Sequence, residues 1–167
     1  GGESGVLNTG GVGNSFLGYR SGYRNTSAQY NTFIGYSCGL NTTIGGYNVM
    51  IGYNAGITNV TGESSVFIGA YAGYRETQSN KFYIDNQDRS SESNSRIASL
   101  IYGEFNSNPN NQLLRLNSKL QLPYITNSAT TNVLYYDLIT SGVSYGTIST
   151  STPGGARYGP CLPPMPC

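Results

Sequence analysis

The sequence predicts an all-β repeat protein, a β-solenoid in which short strands stack from coil to coil. Three observations point there. The 167 residues include 23 Gly and 15 Tyr, with no Trp, no His and only 10% charged residues. Asn, Ser and Thr fill most remaining polar positions, a usage suited to short strands joined by many turns. A motif then recurs four times, as NSFLGYRSG from Asn14, NTFIGYSCG from Asn31, NVMIGYNAG from Asn48 and SVFIGAYAG from Ser65. Each copy starts 17 residues after the last, a spacing that is neither helical nor a multiple of a hexapeptide step.

Residues 1–79 form the predicted repeat array. Gly1, Ser4, Gly5 and Asn8 match Gly18, Ser21, Gly22 and Asn25, so the chain begins in the middle of a repeat, as expected of a fragment or processed product of a longer array. Within each copy a short strand such as NTFI is followed by glycines and a second expected strand such as LNTTI. Gly18, Gly35, Gly52 and Gly69 occupy one column, and Gly22, Gly39, Gly56 and Gly73 another. They are expected where the chain turns with positive φ or packs against another backbone. Ser21, Cys38, Ala55 and Ala72 precede the second glycine, so Cys38 reads as a small buried residue.

Two apolar columns run side by side. Leu17, Ile34, Ile51 and Ile68 are expected to form a continuous inner stripe, with coils stacked ~4.8 Å apart. Phe16, Phe33, Met50 and Phe67 precede them and must point to the other face of their strand. A second apolar face needs a second buried surface, and another copy of the chain supplies it most simply. A cyclic homotrimer is therefore expected.

Residues 80–103 read as a closing strand, NKFYI, and a polar neck. Within DNQDRSSESNSR, Asp85, Asp88 and Glu92 invite a calcium reading. Gln87 and Arg89 stand where such a loop needs oxygen ligands and no glycine follows, so a solvated loop and no metal site are expected. Residues 104–150 form a further β segment. Leu114, Leu116, Leu120 and Leu122 alternate with polar residues as in a half-buried strand pair or one long strand, with Asn117 and Ser118 as a turn between halves. TNVLYYD and GVSYGTI face each other across LITSG as a hairpin, and three chains could interleave these strands. Residues 151–167 are a Pro- and Gly-rich tail, where Cys161 and Cys167 are open to bridging within or between chains.

Whole classes of function lose support. Nine basic and eight acidic residues are scattered singly for a net charge of +1, which gives no footprint for nucleic acid. No run approaches the ~18 apolar residues of a membrane span, and the opening GGESGVLNTGG has no signal-peptide character. Without histidine there is no Ser-His or Cys-His pair, and neither a GxSxG elbow nor a phosphate loop occurs. The array carries only Glu3, Glu63 and Glu76 as acids, in nonequivalent columns, so no catalytic residue and no cofactor is expected. The sequons at Asn25, Asn41 and Asn59 read as turn residues or ladders. Tyr19, Tyr36 and Tyr53 form a column suited to packing, to sugars or to a protein receptor. The Thr26, Thr43, Val60, Thr77 column raises an ice-binding alternative, weakened by Val60.

The NxxIGxxAG repeat resembles the head repeats of YadA-type trimeric autotransporter adhesins and longer repeats of bacteriophage tail fibres. NKFYIDN from Asn80, SLIYGEF from Ser99, LLRLNSKLQL from Leu113 and NVLYYDLITSGVSYG from Asn132 follow in the order such fibres show. The resemblance implies a left-handed parallel β-roll, then a β-rich neck and interleaved hairpin segment, as a fibrous homotrimer. It implies a structural and adhesive protein of a phage tail fibre or virion appendage, with a host glycan or protein and other fibre proteins as partners. A bacterial surface adhesin is the alternative. Relatives often continue into an intramolecular chaperone domain, whereas this sequence stops at CLPPMPC.

Overall fold

A computed structural model describes residues 1–118 in full and, beyond them, the strands Asn132–Asp137 and Gly142–Thr147. The expected tail with Cys161 and Cys167, and Leu120 and Leu122, lie outside the described residues. The chain forms two compact units, Gly1–Leu120 and Gln121–Cys167. In the second, β8 (Asn132–Asp137) and β9 (Gly142–Thr147) pair antiparallel, with Asn132 opposite Thr147 and Asp137 opposite Gly142.

The first unit is mostly β, a solenoid of roughly four turns. Each coil contributes one short strand: β1 (Ser15–Leu17), β2 (Thr32–Ile34), β3 (Val49–Ile51) and β4 (Val66–Ile68). β5 (Lys81–Ile84) continues the parallel stack, and β6 (Ile101–Glu104) and β7 (Leu113–Leu116) close it antiparallel in the same seven-stranded sheet. Equivalent residues of successive copies pair directly, Phe16 with Phe33, Phe33 with Met50 and Met50 with Phe67. The last coil is one residue shorter, so Phe67 pairs with Tyr83. The expected second strand around LNTTI is not a strand. Its backbone bonds still run coil to coil, as from the Thr43 N–H to the Val60 carbonyl, but the chain there is wound in turns.

The two apolar columns have exchanged the places expected of them. Phe33, Met50 and Phe67 are fully buried, whereas Leu17 is 63% exposed and Ile34, Ile51 and Ile68 each 37%. Volume explains the inversion. The rings and Met50 fill the coil interior against the small column of Cys38, Ala55 and Ala72, and the ladder runs on through Tyr83 and Tyr102. Cys38 is buried as expected. Its Sγ donates to the Met50 carbonyl at 3.0 Å, and burial pushes the thiol pKa up to about 12.

Asparagine fixes the corner beside this core. Asn31 Oδ1 accepts from the Asn48 N–H at 2.9 Å, Asn48 Oδ1 from the Ser65 N–H at 3.0 Å, and each Nδ2 donates to a turn carbonyl, Gly45 for Asn31 and Gly62 for Asn48. A buried amide that bonds both ways repeats with the period of the coil, which is why the motif opens on Asn. Asn48→Ala strands the Ser65 N–H and the Gly62 carbonyl inside the protein. We expect a loss of about 2–4 kcal/mol in urea unfolding.

Both glycine columns meet real constraints. Gly39 has φ +58°, and a Cβ there would strike the Phe33 ring. Gly35 has φ +139°, and its Cβ would lie 2.7 Å from the Gly52 carbonyl carbon of the next coil. Left-handed residues also occur where the sequence gives no glycine, as at Arg20, Ser37, Asn54 and Tyr71 in one column and Tyr30, Tyr47 and Ser64 in another.

The polar segment expected to be a solvated loop contains a short helix, α1 (Glu92–Ala98). Ser91 caps it by accepting from the Asn94 N–H at 3.1 Å, and Glu92 bonds Arg96 one turn on. Arg96 also reaches the fully buried Glu76 through Nε and Nη2 at 2.9 and 2.8 Å, and Tyr83 donates to the same carboxylate at 2.7 Å. This cluster ties the helix to the last coil.

Candidate functional site

The surface feature with the most consequence is the outward side of the seven-stranded sheet. Strand pairing sets Leu17, Ile34, Ile51, Ile68, Ile84, Ile101 and Leu116 in one unbroken row. A second row, two residues away along each strand, runs Ser15, Thr32, Val49, Val66, Phe82, Gly103, Leu114. Neither row holds a charge. β7 follows the same rule. Its leucines were expected to be half buried, but Leu114 and Leu116 face out, while Arg115 lies 6.0 Å from the Tyr102 ring.

Tyrosine ladders frame this face. Two residues past the Leu/Ile row stand Tyr19, Tyr36 and Tyr53, with ring centroids 5.3 and 5.4 Å apart. On the other flank Tyr30 and Tyr47 stack at 5.2 Å with their planes 24° apart, both in left-handed backbone that a glycine or asparagine adopts at less cost. The rings of both ladders spend faces on one another, so what they present outward is mainly edges and hydroxyls. That arrangement suits packing and hydrogen bonding better than stacking on sugar rings.

Other candidates from the sequence are already engaged. Asp85 bonds Arg89 at 2.7 and 2.8 Å, and Asp88 bonds Arg75 at 2.8 and 2.9 Å. With Glu92 on Arg96, all three carboxylates of the calcium reading face guanidinium groups. The Thr26 and Thr43 hydroxyls donate to carbonyls one coil on, at 3.1 and 3.3 Å, which leaves them ill placed to order ice. Asn25 and Asn59 of the sequons are fully buried. An open depression of about 360 Å³ is lined by Asn80, Phe105, Asn106 and Ser107, where no titratable groups converge.

The sequence therefore located the columns but not their faces. Residue parity carried the missing signal: Asn31 and Phe33 are two apart and share a side, so an inward asparagine ladder turns the phenylalanine column inward too. Comparison with protein-family models, curated proteins and solved structures gave no match.

Proposed function

We propose that this chain is a non-enzymatic structural and adhesive fibre protein that works as a parallel homotrimer, with the left-handed coil sense, neck and interleaved hairpin of such fibres. It belongs to a bacteriophage tail fibre or virion appendage, which presents a surface to a host-cell glycan or protein. One observation carries the reading: an uncharged apolar row that crosses every strand of the sheet on the side away from the core. A row of that length is unfavourable in water and asks to be covered. Stacked coils supply a stiff spacer, and three copies of a weak contact add by avidity.

Native mass spectrometry should give three chains per particle, and a well-behaved monomer overturns the reading. Labelled protein should also bind intact host bacteria and block phage adsorption. A bacterial surface adhesin instead predicts no effect on adsorption, with a secretion signal and an outer-membrane anchor encoded in the same gene.

A further inference from the structure

We propose that the two tyrosine ladders are sites of oxidative cross-linking, where a peroxide-driven one-electron oxidant joins tyrosines of adjacent coils as dityrosine within one chain. The proposal rests on the coil stack alone, whatever the oligomeric state. Tyr30 and Tyr47 have ring centroids 5.2 Å apart, and Tyr36 lies 5.3 Å from Tyr19 and 5.4 Å from Tyr53. In each pair the partners are 17 residues, and so one coil, apart. Strand pairing keeps neighbouring rungs at coil spacing however their side chains turn, so radicals formed on two of them stay within reach of each other.

Composition leaves an oxidant few other targets. The chain has no Trp and no His. Met50 is fully buried, and so is Cys38, whose thiolate, the readily oxidised form, is suppressed by that burial. Tyr30 and Tyr47 are instead 51% and 63% exposed. Because the ladder rings stack on one another, their edges and hydroxyls meet the solvent, and those are the parts that react. Tyr30 and Tyr47 also hold φ at +58° and +60°, a costly backbone for an aromatic residue that both copies nevertheless keep.

The step balances. Each phenol gives up one electron and one proton, and the two radicals pair to form one carbon–carbon bond between ring positions ortho to the hydroxyls. The two ring hydrogens at those positions then pass to the oxygens, which restores both phenols. Hydrogen peroxide, acting through a haem peroxidase, takes up the two electrons and two protons and leaves as two waters. The stacked rings must first turn edge to edge, a rotation open to half-exposed side chains. Coils that were joined only by three-residue strands then share a covalent rung, which constrains the unfolded chain as a disulfide does.

Hydrogen peroxide with a haem peroxidase tests this on the full chain, read by dityrosine fluorescence and by peptide mapping after digestion with a low-specificity protease. Links should join Tyr30 to Tyr47 and Tyr36 to Tyr19 or Tyr53, each lowering the chain mass by two hydrogens, and the oxidised protein should melt at a higher temperature. In protein refolded from equal amounts of isotopically heavy and light chain, each of these links should be heavy to heavy or light to light. Tyr36→Phe with Tyr47→Phe keeps the rings but removes a phenol from every one of these pairs, so the mapped links and the rise in melting temperature should both vanish while the unoxidised protein folds as before. Heavy-to-light links at these tyrosines would place the pairing between chains and overturn the proposal. So would the same links at the same yield in urea, where the ladder is gone, or tyrosine oxidation that yields no dityrosine at these rungs.

Discussion

Gly35→Ala should abolish cooperative folding of the coil stack. The built Cβ lies well inside contact distance of the Gly52 carbonyl in the next coil, and φ at this position is +139°. Neither problem can relax by turning a side chain, because the colliding group is backbone held at strand spacing. Gly52 itself abuts Gly69, so a shift to make room is passed down the stack. We expect a cost of about 4 kcal/mol or more, seen as loss of a sharp thermal transition. Gly10→Ala is the matched comparison. Its Cβ would approach nothing closer than 4.0 Å, and the change should stay within about 0.5 kcal/mol.

Arg96→Met should have the next largest effect. It removes the guanidinium from Glu76, a carboxylate with no exposure, and leaves it with the Tyr83 hydroxyl and the N–H groups of Thr77 and Gln78. Breaking a buried pair on one side costs about 3–5 kcal/mol. The acid limb of stability carries a second signature. Burial raises the Glu76 pKa, but the Arg96 and Tyr83 hydrogen bonds outweigh it and hold the group below its ordinary value of 4.5. For Asp85, burial is likewise outweighed by Arg89, the Asn86 N–H and Ser99, and the carboxyl sits below 3.8. Both groups are more acidic folded than unfolded, so their contribution is complete above the unfolded values and is lost as pH falls through the folded ones. Melting temperature should be flat near neutrality and drop below about pH 4.5. In Arg96→Met the folded Glu76 value rises toward or past its unfolded one, so the Glu76 share of the acid loss should shrink and the acid limb become shallower. An unchanged acid limb would show that Arg96 does not hold Glu76.

Much of the fold was legible because a period of 17 writes each structural demand four times. The glycine columns, the small column at Cys38 and the asparagine corner all sit where repetition puts them. What repetition could not reveal is inside from outside, since Phe33 and Ile34 recur equally well. Packing decided that, through the fit of large rings against Cys38 and Ala55. Helix α1 was missed because it occurs once, although Ser91 before Glu92 and Arg96 four residues later were its local marks. The left-handed residues at Tyr30, Tyr47 and Tyr71 gave no signal, because propensity argues against them and the winding of the coil overrides it. The candidate face was visible only as surplus hydrophobicity. Its continuity into β6 and β7 depends on strand pairings that no repeat announces.

The 16-residue spacing from β4 to β5 ends the strict period, and the chain turns back immediately afterwards. Every earlier coil differs from its neighbours only in its own side chains. The height of the coil stack is therefore an integer number of coils: gaining or losing one 17-residue unit before β4 changes it by about 4.8 Å and leaves the closing cluster of Glu76, Tyr83 and Arg96 as it was. A stack built this way can be lengthened or shortened coil by coil with no point mutation in either the core or the outward face.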